Sequence, residues 1–166
     1  QRPELNQCSV EFVAPQDYMV RPPVPPVYFF VIDVSSGASS SGILQSMVNA
    51  IKDSLDNLPG GVRTQVGFIT FDTSIHYYNL KSTLKSPQMH LVSDILDPIV
   101  PLLGDDLLVN VRDSRSVIDA LLDGLPKMFA SNPSMNNCTG PALASANRIV
   151  KHVGGKILLF QTSLPT

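Results

Sequence analysis

The sequence has few of the features that mark the simplest functional classes. Its 166 residues include two cysteines, Cys8 and Cys138, which lie far apart and form no C-x-x-C pair. We therefore predict neither a zinc site nor a disulfide framework. This cysteine content favours a reducing, cytosolic compartment. The chain has 12 Lys and Arg residues against 14 Asp and Glu residues, without the basic run that a nucleic-acid partner requires. Its apolar runs fall short of the roughly 20 residues that span a membrane.

Length and proline content predict how the chain is divided. The 166 residues have the size of one domain with one core. Residues 21–26, RPPVPP, lack most backbone donors and favour an extended path. We interpret residues 1–26 as an N-terminal extension with a short strand at 10–13 and a proline-rich connector from an upstream module. A ligand for a proline-reading domain is the alternative. Residues 27–166 form the predicted domain.

The chain starts at Gln1 without a methionine and stops soon after a predicted strand. We therefore expect it to be excised from a longer protein, with the domain truncated at its C-terminal end.

From residue 27 onward, strand and helix patterns alternate. Strands are predicted at 27–32, 62–71, 75–80 and 156–161, with shorter ones at 89–92 and 107–109. Helices are predicted at 43–58, from Ser114 or Ser116 to Leu125 with a new turn at Pro126, and at 142–152. The apolar runs 27–32 and 156–161 are typical of interior strands. The pattern predicts an α/β fold: a doubly wound, mostly parallel sheet with one antiparallel edge hairpin around residues 72–74.

The first predicted interior strand ends in a polar segment, Asp33-Val34-Ser35-Ser36-Gly37. In open α/β sheets, ligands bind beyond the carboxyl ends of the strands. Asp33 and Ser35 therefore lie where a metal or ligand is expected. The alternative, which we favour, is that both side chains close a loop and cap a helix by hydrogen bonds to the backbone.

The order of elements resembles a von Willebrand factor A domain. The metal-dependent form of that family places Asp-x-Ser-x-Ser after the first strand, a Thr in a later loop and an Asp after a later strand. Asp33 and Ser35 match this pattern, but Gly37 replaces the second serine and Thr162 replaces the late acid, while Thr139 or a neighbour supplies the loop hydroxyl. Magnesium needs oxygen ligands in near-octahedral geometry, and two of the five positions have lost a ligand. We therefore interpret the five positions as a degenerate site that binds no metal. A metal-dependent ligand-binding A domain remains the alternative.

Several long segments in the same order carry a closer resemblance, to the trunk domain of the COPII inner-coat cargo adaptor, the Sec24 family. The segments are 9–21 (SVEFVAPQDYMVR), 26–35 (PVYFFVIDVS), 63–80 (RTQVGFITFDTSIHYYNL), 106–110 (DLLVN), 140–143 (GPAL) and 154–156 (GGK). This resemblance implies a von Willebrand factor A-like trunk that works as an adaptor and not as an enzyme.

The same resemblance implies the setting of the protein. The trunk would pair with the trunk of the partner inner-coat subunit, and cargo and membrane contacts would be made mostly by the full-length coat. The expected location is the cytoplasmic surface of endoplasmic-reticulum exit sites and COPII vesicles, in transport from the endoplasmic reticulum to the Golgi. Zinc is expected in an upstream module, and no cofactor in this segment.

Other residues are candidates for partner contact or for catalysis. Arg63, at the start of a predicted strand, is our candidate for a contact with a partner or cargo. The adjacent acids Asp105 and Asp106 are predicted to be solvated. A triad of Ser35, His76 and Asp72 finds no support in its spacing. A nucleotide-using enzyme would need a phosphate-binding glycine loop, and the segment after the first strand has neither G-x-G-x-x-G nor a P-loop lysine.

Overall fold

The computed structural model describes residues 24–164 and, before them, residues 2, 6, 9–10 and 13–18. Its strands are β1 (Val27–Asp33), β2 (Gln65–Phe71), β3 (Ile75–Asn79), β4 (Gln88–Val92), β5 (Val109–Asn110) and β6 (Lys156–Phe160). Its helices are α1 (Ser36–Ser40), α2 (Ile43–Leu55), α3 (Gly104–Leu107), α4 (Arg115–Met128) and α5 (Thr139–Val150), with short 3-10 turns at Gln16–Tyr18 and Gly61–Arg63.

The strands form one mixed sheet in the order β4-β3-β2-β1-β6, and β5 pairs with β2 outside this path. β1 is parallel to β2 and to β6. β3 is antiparallel to β2, and β4 and β5 add two further antiparallel pairings. The predicted α/β class is confirmed, whereas the prediction of a mostly parallel sheet is wrong. The β2–β3 hairpin exists, but it does not lie at the edge because β4 pairs with β3.

β6 was predicted to be an interior strand. Among the described residues it pairs with β1 alone, and Ile157 and Leu159 are 36% and 39% exposed. The apolar run therefore indicated a strand correctly, and its interior position stays a prediction.

β1 is buried along its whole length, which confirms the predicted interior strand. Tyr28, Phe30 and Ile32 lie in a core cluster with the apolar residues of α2 and α4. Val27, Phe29 and Val31 lie in a second cluster with residues of α5. Since successive side chains of a strand point to opposite faces, helices pack on both faces of the sheet.

Several helix and loop boundaries differ from the predictions. α2 ends at Leu55, before Leu58, and residue 107 belongs to α3 and not to a strand. α5 begins at Thr139, three residues before the predicted start. Pro126 lies inside α4 instead of beginning a new turn. A proline this close to the end of a helix removes one hydrogen bond, and burial of Leu121, Leu122 and Leu125 outweighs that loss.

Two predictions fall on residues that the structure does not describe in full. Residues 11–12 of the predicted strand 10–13, and residues 21–23 of the proline-rich segment, lie outside the described residues. The division at residue 26 therefore stays a prediction. Within the described part of the chain, no helix has the length and apolarity needed to cross a membrane.

Gly67 provides a test of the packing between β1 and β2. A Cβ at this position would lie 2.5 Å from a ring carbon of Phe29 and 2.7 Å from the carbonyl oxygen of Leu107. We expect Gly67→Ala to lower the free energy of unfolding by about 1–3 kcal/mol through overpacking. The matched control is Gly124→Ala in α4, where the new methyl group meets open space and should stabilise the helix by about 0.5–1 kcal/mol. Urea unfolding of both variants tests this, and equal effects would contradict the packing described here.

Candidate functional site at the carboxyl edge of the sheet

The fold brings four of the five predicted site positions together. Asp33 is the last residue of β1, and its Oδ2 accepts hydrogen bonds from the hydroxyl of Thr162, at 2.6 Å, and from its backbone N–H, at 3.0 Å. Its Oδ1 accepts a hydrogen bond from the N–H of Ser35, at 2.9 Å. A Cβ on Gly37 would lie 3.8 Å from Oγ1 of Thr162. Thr139 is engaged elsewhere, since its hydroxyl donates to Oδ1 of Asn137 at 2.6 Å.

The carboxyl group of Asp33 is fully buried and has no cationic partner among its recorded hydrogen bonds. Burial raises the pKa of Asp33, but the hydrogen bonds from Thr162 and Ser35 together outweigh burial and hold the pKa below its ordinary value. The side chain is therefore a carboxylate at neutral pH. It is stabilised by donors that the chain itself supplies.

Ser35 does not cap α1 as predicted. It occupies the N-cap position, but its side chain makes no capping hydrogen bond. Its Oγ is buried without a hydrogen-bond partner in the described structure. The local turn is closed instead by Asp33, which accepts from the N–H two residues ahead.

The residues at this edge do not fit the magnesium ion that the A-domain resemblance suggests. Thr162 donates two hydrogen bonds to Oδ2 of Asp33, Gly37 offers no side-chain oxygen, and Thr162 stands in place of the late acid. Within the described ranges, no group of three or more His, Cys, Asp or Glu side chains is arranged to hold a metal. Magnesium prefers several oxygen ligands that include carboxylates, and this donor set is too poor in charge.

A second junction at the same edge involves residues that the sequence analysis missed. Nδ2 of Asn132, in the loop between α4 and α5, donates to the carbonyl oxygen of Val34 at 2.8 Å and to Oδ2 of Asp72 at 3.0 Å. Oδ1 of Asp72 accepts from the N–H of Ser74 at 2.9 Å. Asn132 therefore joins the loops that follow β1 and β2. Asp72 offered a signal, because it follows a strand as Asp33 does, but nothing in the sequence singles out Asn132.

Asn137 forms a third junction. Its Nδ2 donates to Oγ of Ser163 at 2.6 Å and to the carbonyl oxygen of Ser163 at 3.2 Å, while its Oδ1 accepts from Thr139. The start of α5 is thereby tied to the segment after β6. Together, the three junctions close the carboxyl edge of the sheet with hydrogen bonds between side chains and loops.

The imagined triad is not assembled into a catalytic arrangement. Nδ1 of His76 lies 3.1 Å from the hydroxyl of Thr70, and its ring packs against Phe129. Burial lowers the pKa of His76 and outweighs the nearby charge of Asp72, which raises it. Ser35 has no base on its buried hydroxyl, so no activated nucleophile is present here.

The structure also places the three remaining candidate residues, Arg63, Asp105 and Asp106. Arg63 is exposed and ends the 3-10 turn that precedes β2. Asp105 is exposed as predicted, but Asp106 is not simply solvated, because it forms an ion pair with Lys81 and its side chain is largely buried.

An apolar cavity that no sequence pattern predicted lies at the opposite end of the sheet. The cavity has a volume of about 500 Å³ and lies where β1 and β2 begin. Its lining includes Val27, Gln65, Leu107, Arg148 and Val153. The lining residues come from separate segments of the chain, which explains why no local motif reveals them.

Comparison with known proteins identifies the family. The Sec23/Sec24 trunk domain matches residues 23–166. The chain belongs to this family. It is 56% identical over 166 residues to the protein transport protein SEC24 A of Arabidopsis thaliana, and 47% identical over 165 residues to human Sec24A. These alignments cover 100% and 99% of the chain but only 16% and 15% of the relatives.

A solved structure agrees with this assignment. The crystal structure of the human COPII-coat protein Sec24c matches with a TM-score of 0.80 and 41% identity, over 86% of this chain and 20% of that one. The predicted resemblance is confirmed. The relatives are described as protein transport and coat proteins, in agreement with the prediction that the trunk is not an enzyme.

The lowered pKa of Asp33 predicts a pH-dependent contribution to stability. A group with a depressed pKa stabilises the fold above its unfolded-state pKa of about 3.9, and this contribution is lost as the pH falls through the folded-state value. We expect Asp33→Asn to cost about 1–3 kcal/mol at pH 7 and progressively less as the pH falls below the unfolded-state pKa. Urea unfolding across this range checks the prediction, with Asp53→Asn on the exposed side of α2 as control. A deficit that does not depend on pH would contradict it.

Proposed function

We propose that this segment is a non-catalytic trunk module of the cargo-selecting subunit of the COPII coat, and that it supports pairing with the partner inner-coat subunit. The observation that carries the proposal is the family match across residues 23–166, together with whole-chain similarity to Sec24 proteins. The chain spans about a sixth of those relatives, so transport from the endoplasmic reticulum to the Golgi is a property that we propose for the whole protein.

The surface of the domain supports a role in protein contact. Leu96, Ile99 and Leu103 are 96%, 72% and 77% exposed on the loop between β4 and α3. Arg148 holds this loop through hydrogen bonds to the carbonyl oxygen of Pro98, at 2.7 Å, and to Oδ1 of Asp97, at 2.8 Å. A fixed loop that presents large aliphatic side chains is typical of surfaces that bind other proteins.

Other parts of the proposal concern the complete protein. The trunk would follow a zinc-binding module, with residues 1–26 as the connector, and its sheet would be a doubly wound, von Willebrand factor A-like one. Cargo and membrane contacts would be made mostly by the assembled coat. The protein would work at the cytoplasmic surface of endoplasmic-reticulum exit sites and COPII vesicles.

The pairing is tested by removing the trunk segment from the full-length protein. We expect a variant that lacks residues 27–166 to lose recovery of the partner inner-coat subunit in a pull-down from cytosol, because the proposed contact surface is gone. Limited proteolysis of the variant should first establish that its other modules remain folded. Equal recovery of the partner subunit by both proteins would sink the proposal.

Arg63 is proposed as a contact for a carboxylate on a partner or cargo, since an arginine can bind a carboxylate through two hydrogen bonds. We expect Arg63→Glu in the full-length protein to weaken binding of one such ligand by about 5- to 30-fold, which corresponds to roughly 1–2 kcal/mol. The matched control is Arg112→Glu, at another exposed arginine. Recovery of the partner subunit and of individual cargo proteins on coated vesicles is the measurement, and identical profiles for both variants would remove Arg63 from consideration.

A further inference from the structure

We infer that the hydrogen bonds between Asp33 and Thr162 form a lock that takes the place of a bound cation. The lock joins the end of β1 to the segment after β6, positions that are 129 residues apart in the sequence. The carboxyl edge of the sheet is then held closed without a metal ion. Two substitutions, Gly37→Ser and Thr162→Asp, would convert the lock into a cation site.

Both carboxylate oxygens of Asp33 already accept hydrogen bonds from the chain. Oδ2 accepts two hydrogen bonds from Thr162, and Oδ1 accepts one from Ser35. An ionised carboxylate has about four acceptor positions, so three of them are occupied by the chain itself. A cation approaching Oδ2 would have to displace the Thr162 hydroxyl, which makes the shortest of these hydrogen bonds, at 2.6 Å.

A buried hydroxyl and space for a Cβ lie beside the lock, at Ser35 and Gly37. Oγ of Ser35 is fully buried and has no hydrogen-bond partner in the described structure. The Cβ that a side chain at Gly37 would introduce lies 4.0 Å from this oxygen and 3.8 Å from Oγ1 of Thr162, both ordinary contact distances. A Cβ at position 37 therefore meets no clash. The buried hydroxyl of Ser35 and the space at Gly37 are what a metal centre would use.

The negative charge of the buried Asp33 carboxylate is compensated without a cation. A buried carboxylate is costly unless its charge is compensated. Here three donors compensate it well enough to keep the pKa of Asp33 below its ordinary value despite burial. Replacing the Thr162 hydroxyl by a second carboxylate would remove one donor and place two negative charges side by side, a pair that a bound cation would stabilise.

The experiment uses the full-length protein and measures hydrogen–deuterium exchange in peptides that cover residues 33–39 and 158–164, in EDTA and in millimolar magnesium. The variants are Thr162→Val, which removes the hydroxyl, Thr162→Ser, which keeps it, and the double variant Gly37→Ser/Thr162→Asp. For the parent we expect protection that magnesium does not change. Thr162→Val should exchange about 10- to 100-fold faster, and Thr162→Ser close to the parent rate.

The double variant decides between a lock and an ordinary buried turn. We expect its two peptides to exchange fast in EDTA and to regain protection in magnesium, while peptides from α2 stay unchanged. Slower exchange of the parent in magnesium would overturn the inference, because the site would then already bind the ion. Parent-like exchange of Thr162→Val would also overturn it, as would a double variant that folds but does not respond to magnesium. If the double variant does not fold, the parent and Thr162→Val results decide alone.

Discussion

β1 is covered by helices on both faces and by strands on both sides, so every residue from Val27 to Asp33 is buried. Asp33 ends this buried strand, and its charged carboxylate needs hydrogen-bond donors because burial of an uncompensated charge is costly. In this chain, Thr162 and Ser35 supply the donors. The loops around Asp33 depend on that requirement, because the group that compensates the charge also fixes the segment after β6.

The same solution recurs beside it. Asn132 ties Val34 to Asp72, and Asn137 ties the start of α5 to Ser163. The edge at which α/β sheets usually bind small ligands is therefore occupied by internal hydrogen bonds. Exposed apolar side chains lie on the loop between β4 and α3 instead. This division between a closed edge and an apolar surface suits a module that acts by contact with other proteins.

The sequence predicted the elements better than their arrangement. The apolar run of β1 and the helical periodicity of α2 are local signals, and both elements are present. The interior position of the β2–β3 hairpin depends on the pairing of β4 with β3, which no local pattern encodes. For the site, the resemblance placed Asp33 and Thr162 in corresponding positions, whereas Asn132 went unnoticed because a loop asparagine has no periodicity to distinguish it.

The most direct test of the ion-free junction is a crystal structure of the full-length protein, grown in millimolar magnesium, at a resolution that separates a water molecule from a metal ion. The account predicts that Oγ1 of Thr162 lies within hydrogen-bond distance of Oδ2 of Asp33 and that no six-coordinate ion lies beside them. An octahedral ion bound to Asp33 and Ser35, with the Thr162 hydroxyl displaced, would contradict it.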